Sequence, residues 1–199
     1  NGEYIIAEAG PMQDSQGTGF IIDDDGVWLT AQHVTHGCDR LGLYDGVDLA
    51  PVARVSESAV SDAAVIRDGP RMGTALPLGG AALMAGATGW HMGYPAGSPA
   101  VIETRLIGEA VARRGLGPAA RGEPVLAWAE VQRLGYGNGP LGGISGGPVL
   151  DGAGEVVGVV SASTDRRGRI LSTAPDAIAA LLRQRVQIAT RADRRDLSN

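Results

Sequence analysis

Gly143-Ile144-Ser145-Gly146-Gly147-Pro148 places a hydroxyl between glycines. An alcohol is a poor nucleophile until a neighbouring base takes its proton, and histidine is the usual base. All three histidines, His33, His36 and His91, lie before Ser145. The α/β-hydrolase elbow also reads G-x-S-x-G, but its histidine follows its serine, so that arrangement is excluded. A base, then a carboxylate, then the nucleophile is the order that remains. Acyl chemistry at Ser145 would also need amide N–H groups aimed at a developing oxyanion. Glycine at 143 leaves its N–H unobstructed, and the N–H of Ser145 itself can be the second donor. Gly146 and Gly147 would let the chain pass close behind the hydroxyl. An ordinary Gly-Ser loop is the competing reading of this motif taken alone.

The base candidate is His33, in Leu29-Thr30-Ala31-Gln32-His33-Val34, just after an apolar run that reads as a strand. His36 is its local rival and the more exposed of the two by position. His33-x-x-His36 with Cys38 also has the outline of a metal site, but no fourth ligand is apparent, and we expect neither a metal nor a cofactor. The carboxylate candidate is Asp62, in Ser61-Asp62-Ala63-Ala64-Val65-Ile66. An aspartate at the start of an apolar strand can be half buried, accept a hydrogen bond from the imidazole and fix its tautomer. The alternative is a turn residue at a strand start. The three signals carry weight together: they occur in the required order, each at a strand edge.

These side chains need a scaffold to hold them, and composition limits the choice. The chain has 199 residues, enough for one large or two small packed domains. With 31 glycines and few aromatics, short strands joined by tight turns are favoured over a helix bundle. A net charge of −5 argues against a nucleic-acid groove. The single cysteine, Cys38, rules out an intrachain disulfide without fixing the compartment. No apolar run is long enough to cross a bilayer. The start at Asn1 rather than methionine hints at a removed signal or anchor segment, hence a periplasmic or secreted location.

Along the chain, Gly19 to Ile22 and Val27 to Thr30 read as strands around an acidic turn, Asp23-Asp24-Asp25-Gly26. Leu49 to Val55 and Ala63 to Ile66 add strand material, and Asp68-Gly69-Pro70 is a turn. Strands resume at Trp90 to Tyr94, Val101 to Ala112, Val125 to Arg133 and Val156 to Ser161. Arg113 to Gly122 reads as loop, Gly135 to Gly147 as too glycine-rich for regular structure, and Arg166 to Arg169 as a hairpin tip. Residues 174–185 have helical spacing at Ile178, Leu181 and Leu182, with Pro175 in the first turn. The pattern predicts an all-β protein of two packed β-barrels with a short C-terminal helix. We place an N-terminal barrel carrying His33 and Asp62 over residues 1–75. A C-terminal barrel carrying Ser145 and ending in the helix follows over 76–185, then a polar tail over 186–199.

The motifs resemble those of the trypsin-like peptidases of the chymotrypsin superfamily, in particular the bacterial HtrA (Deg-type) protease domain. Gly17-Thr18-Gly19-Phe20-Ile21-Ile22 followed by Leu29-Thr30-Ala31-Gln32-His33-Val34 resembles that family's glycine-rich strand and histidine motif. Ser61-Asp62-Ala63-Ala64-Val65 resembles its aspartate motif, Met92-Gly93-Tyr94-Pro95-Ala96-Gly97 its G-x-P-x-G turn, and Gly143 to Val149 its serine loop. Val156 to Val160 resembles the strand after that loop. The resemblance covers about residues 15–183. It implies two six-stranded antiparallel barrels and a serine endopeptidase acting on polypeptide substrates. Ser145 would be the nucleophile, His33 the general base and then acid, and Asp62 the orienting carboxylate. Gly143 and Ser145 would supply the oxyanion hole. Ser161, Ala162 and Ser163 would form an exposed edge that pairs with substrate backbone. Gly139 or a neighbour would line the floor of the primary pocket, disfavouring Arg or Lys and pointing to small or medium apolar side chains, with Leu171 and Ser172 as another wall.

The chain departs from the pattern at Ile144. Digestive serine proteases have Asp there, and HtrA members usually Asn. Control through an Asp at this position is therefore not expected, and the loop Gly135 to Gly143 is the element left to provide it. No PDZ domain is expected within the chain. Two further readings stand beside the endopeptidase: a non-catalytic member that binds peptides or senses a ligand, and an esterase using the same residues.

Overall fold

The computed structural model describes residues 2–6, 15–52, 54–80, 82–114, 121–164 and 168–183. Among these residues thirteen strands are distributed over three sheets. The first, β1 (Gly2–Ile6), lies far from its sequence neighbours: it runs parallel to β9 (Ala100–Arg114), opposite residues Ala110 to Arg114.

In the N-terminal half, β2 (Phe20–Ile21), β3 (Trp28–Thr30), β6 (Arg54–Glu57) and β7 (Ala64–Arg67) form an antiparallel sheet in the order β2-β3-β7-β6. The β2–β3 turn forms as the acidic sequence predicts, with Asp23 Oδ1 accepting from the N–H groups of Asp25 and Val27. A separate hairpin, β4 (Leu41–Tyr44) with β5 (Leu49–Val52), lays Leu41, Leu43 and Val52 on the Ile21, Trp28 and Ile66 cluster. The expected closed six-stranded N-terminal barrel is not confirmed by this pairing. Among the described residues these strands form a four-stranded sheet and a two-stranded one, packed through side chains and not joined into a ring. Strands of two to four residues offer few ladder bonds, and closing a ring requires continuous staggered pairing.

The C-terminal half does close. Strand β8 (Thr88–Gly93) pairs with β9, β9 with β10 (Arg121–Leu134), β10 with β13 (Arg169–Thr173), β13 with β12 (Val156–Thr164), and β12 with β11 (Pro148–Leu150). Strand β11 pairs with β8 and completes a six-stranded barrel. Register shifts in the β9–β10 ladder, at Ala127/Trp128 and Glu130/Gln132, mark bulges that bend these long strands round the ring. Ile102, Leu106, Trp128, Ile144, Val157 and Ile170 fill its interior. Each large apolar side chain fully buried there contributes about 1.5–3 kcal/mol.

The two halves share a core. Phe20, Leu29 and Val65 from the first pack with Leu150, Val156 and Val159 from the second. Residues 175–183 form a helix, α2, whose Ile178 and Leu181 seal the same cluster. The expectations at residues 166–167, and those for 186–199, fall outside the described residues.

Candidate active site

His33 sits on a single helical turn, α1 (Gln32–Thr35), at the end of β3. Ala31 precedes it in extended conformation, without a side-chain cap. The turn is held instead by Asp62, whose Oδ1 accepts from the His33 backbone N–H at 2.9 Å. Oδ2 of the same carboxylate lies 2.8 Å from His33 Nδ1. Asp62 is fully buried while the imidazole is 37% exposed. A buried carboxylate needs donors, and these contacts, with the Ser161 Oγ–H at 2.8 Å on Oδ2, supply them. With Nδ1–H donating to Asp62, the lone pair of His33 rests on Nε2.

Ser145 comes from the loop before β11. Its carbonyl accepts from the Thr18 N–H at 2.8 Å, docking the loop on the segment that leads into β2. Gly146, at φ +87°, leaves no room for a Cβ, which would collide with the Thr18 carbonyl and the Thr30 hydroxyl and lie 2.9 Å from Ala31 N. The serine loop thus presses on the chain two residues before His33. Among the described residues no hydrogen bond joins Ser145 Oγ to the His33 ring. Catalytic hydrogen bonds are often long in unliganded enzymes and tighten with substrate.

The amide donors are arranged by the peptides around them. The Ala96 N–H donates to Gly142 O at 2.9 Å, from the turn Pro95–Gly97 in which Ala96 adopts φ 49°. A trans peptide points its N–H opposite to its carbonyl, so the Gly143 N–H faces away from that turn. Gly143 has φ +101°, and a Cβ there would lie 2.7 Å from Tyr94 O. Among the described residues neither the Gly143 nor the Ser145 N–H has a protein acceptor. Ile144 between them is 1% exposed and packs into the barrel core.

The remaining sequence candidates separate. Ser161 is a correction: it is no exposed edge, being 2% exposed with its hydroxyl turned onto Asp62. A register shift between Val160 and Ala162 makes it a bulge in β12, and Ala162 and Ser163 follow, half buried and paired with β13. Leu171 and Ser172 are buried in β13. Gly139 lies in a loop braced by side chains: Arg133 Nη1 donates to the carbonyls of Gly137 and Gly139, and Tyr136 Oη–H donates to Pro140 O. Glu130 fixes Arg133 through paired hydrogen bonds of 2.7 and 3.0 Å. His36, the rival base, points to Glu57 Oε2 at 2.8 Å, and that hydrogen bond and charge raise its pKa. Cys38 is exposed, and among the described residues no three His, Cys, Asp or Glu side chains group as metal ligands would.

Sequence reading missed Thr18, Arg133 and the hydroxyl of Ser161. A polar residue between two glycines, and an Arg three residues after a Glu at the mouth of a glycine-rich loop, were the available signals.

A family profile described as trypsin-like peptidase domain matches residues 17–159. HhoA of Synechocystis sp., which bears a serine-protease name, is 32% identical over 156 residues, which are 74% of this chain and 36% of that protein. The chain thus spans about a third of that relative's length. Among solved structures, the active form of the Rv3671c protease from M. tuberculosis superposes with a TM-score of 0.69 at 24% identity, over 83% of this chain and 71% of that one. The HtrA-type protease AlgW with a decapeptide gives 0.63 at 20% identity, over 83% of this chain and 50% of that one. Both structures speak for the fold.

Proposed function

The chain belongs to the trypsin-like peptidase family, and we propose on that premise that it is a serine endopeptidase acting on extended or unfolded polypeptides through an acyl-enzyme at Ser145. The observation that carries this reading is the grip of buried Asp62 on both the ring and the backbone of His33. Fixed in that tautomer, His33 Nε2 takes the Ser145 proton as Oγ attacks the scissile carbonyl carbon. The oxyanion of the tetrahedral intermediate accepts from the Gly143 and Ser145 N–H groups. His33 then hands its proton to the departing amine, and water, activated by the same nitrogen, releases the acid and restores Ser145. Asp62 stays ionised throughout and stabilises the imidazolium.

Substrate backbone would pair at Ala162 and Ser163, where β12 runs past the end of its β11 ladder and keeps β13 as its neighbour. Gly139 and its loop would line the primary pocket, which we assign to small or medium apolar side chains. A periplasmic or secreted setting goes with the HtrA resemblance; no helix among the described residues is long and apolar enough to cross a membrane. What supports catalysis over a peptide-binding module is that both amide donors are open.

Labelling by a fluorophosphonate probe, mapped by peptide mass, tests the reading. Ser145 should label in the parent and not in His33→Ala. A folded parent that stays unlabelled, with and without added unfolded peptide, would overturn it.

A further inference from the structure

Four consecutive carbonyls, from residues 142 to 145, are all held, and the holders come from three places. Ala96 N–H takes Gly142 O, and within the loop Gly147 N–H takes Ile144 O at 2.9 Å. The other two belong to Thr18: its hydroxyl donates to Gly143 O at 2.8 Å and its N–H to Ser145 O at 2.8 Å. The Thr18 hydroxyl is used twice, since its oxygen also accepts from the Tyr94 N–H at 3.1 Å. Its own carbonyl accepts from the Thr30 hydroxyl at 2.8 Å, on the strand that ends at α1. Thr18 is 5% exposed, so none of these bonds competes freely with water.

This clamp stands where the neighbouring side chain offers nothing polar. Ile144 is buried among barrel residues and cannot anchor the loop by a hydrogen bond or an ion pair. Only a hydroxyl can donate to Gly143 O and accept from Tyr94 N–H at one atom. We propose that Thr18 is a positioning residue for the oxyanion hole: from the N-terminal half it fixes the Gly143–Ile144 and Ser145–Gly146 peptides, which adjoin the two peptides carrying the Gly143 and Ser145 N–H groups, so that these groups stay aimed at substrate. The inference rests on Ser145 being the nucleophile. Thr18 touches no reacting atom and acts through the loop. Its loss therefore falls on the step in which the oxyanion forms and spares ground-state binding.

The test compares Thr18→Val, which keeps the shape and removes the hydroxyl, with Thr18→Ser, which restores it. Readouts are kcat and KM on one fluorogenic peptide, fluorophosphonate labelling rate, and amide exchange at Tyr94. Removing a whole oxyanion donor costs about 10²–10³ in kcat, so mispositioning one is expected to cost about 10–100-fold, with KM within about twofold. The Ser variant should return to within about threefold of the parent. In the Val variant the Tyr94 amide should exchange faster while the melting curve stays cooperative. An unchanged kcat in the Val variant, equal loss in the Ser variant, or a fall in kcat matched by the fall in folded fraction would each overturn the proposal. If the folded parent neither labels nor cleaves, the peptidase reading fails instead. Exchange then decides the clamp alone: unchanged protection of Tyr94 in the Val variant overturns it, and faster exchange reversed by Ser upholds it.

Discussion

In the C-terminal barrel β9 and β10 run 15 and 14 residues and six strands close a ring, whereas among the described residues no strand from β2 to β7 exceeds four residues and their two sheets do not close. The difference shows in how each half holds its candidate catalytic groups. The barrel presents Ser145 on a loop whose carbonyls are tied by backbone amides and by Thr18. The N-terminal half has little regular structure next to His33, a single helical turn, and relies on one buried carboxylate to fix it. That carboxylate is in turn held from the barrel, through Ser161. Each half therefore positions part of the other's chemistry, across an apolar seam sealed by α2.

The strongest way to break the comparison is at Asp62. Asp62→Asn preserves shape but presents an amide to His33 Nδ1, which favours the wrong tautomer. We expect kcat to fall by about 10⁴ at neutral pH, as the loss of an orienting carboxylate does in such triads. Circular dichroism should still report a folded chain. A kcat within tenfold of the parent would show that α1 and its packing hold His33 without the carboxylate.

Stability should divide along the same line. Ile102 is fully buried on β9 inside the closed ring, while Leu43 lies half buried on the β4–β5 hairpin. Ile102→Ala should cost about 2–5 kcal/mol, because a ring of paired strands cannot collapse into the void. Leu43→Ala should cost about 1 kcal/mol, having less contact to lose and a hairpin that can settle. Urea melts of the two variants decide it, and equal losses would mean that the two halves are comparably packed.

How far the sequence could be read follows from range. The β2–β3 hairpin was legible because Asp23 and Gly26 act on their own neighbours. α2 was legible from the spacing of Ile178, Leu181 and Leu182. Strand β11, three residues opening on Pro148, is too short to display a period, and α1 is a single turn. β4 and β13 were not singled out as strands. Ring closure depends on which strand meets which, and no local pattern records that β8 meets both β9 and β11. Likewise His33, Asp62 and Ser145 could be picked out as candidates from their types, order and settings taken together. The hydroxyl contacts of Thr18 and Ser161 could not, since their partners are 125 and 99 residues away.

The smallest expected effect separates the halves by their histidines. His91 lies wholly inside the barrel wall, on β8 opposite Val149, with its ring edge-on to Trp128 at 5.2 Å. Thr104 Oγ1–H donates to Gly89 O at 3.0 Å, so its oxygen accepts from His91 Nε2–H, also at 3.0 Å. Nδ1 is buried and has no hydrogen-bond partner among the described residues. Burial in apolar surroundings pushes the His91 pKa down from 6.5 to about 3. Between those values the unfolded chain binds a proton that the folded chain refuses. This contribution to stability is complete above pH 6.5 and is lost as the pH falls towards 3, by at most about 1.4 kcal/mol per pH unit. His91→Gln keeps a donor for Thr104 and cannot titrate. Its urea midpoint should therefore fall less than the parent's between pH 6.5 and 5, read by circular dichroism. Equal pH slopes would mean that the acid response comes from other groups, and would remove the barrel's buried histidine from the contrast with the accessible His33 and His36 of the other half.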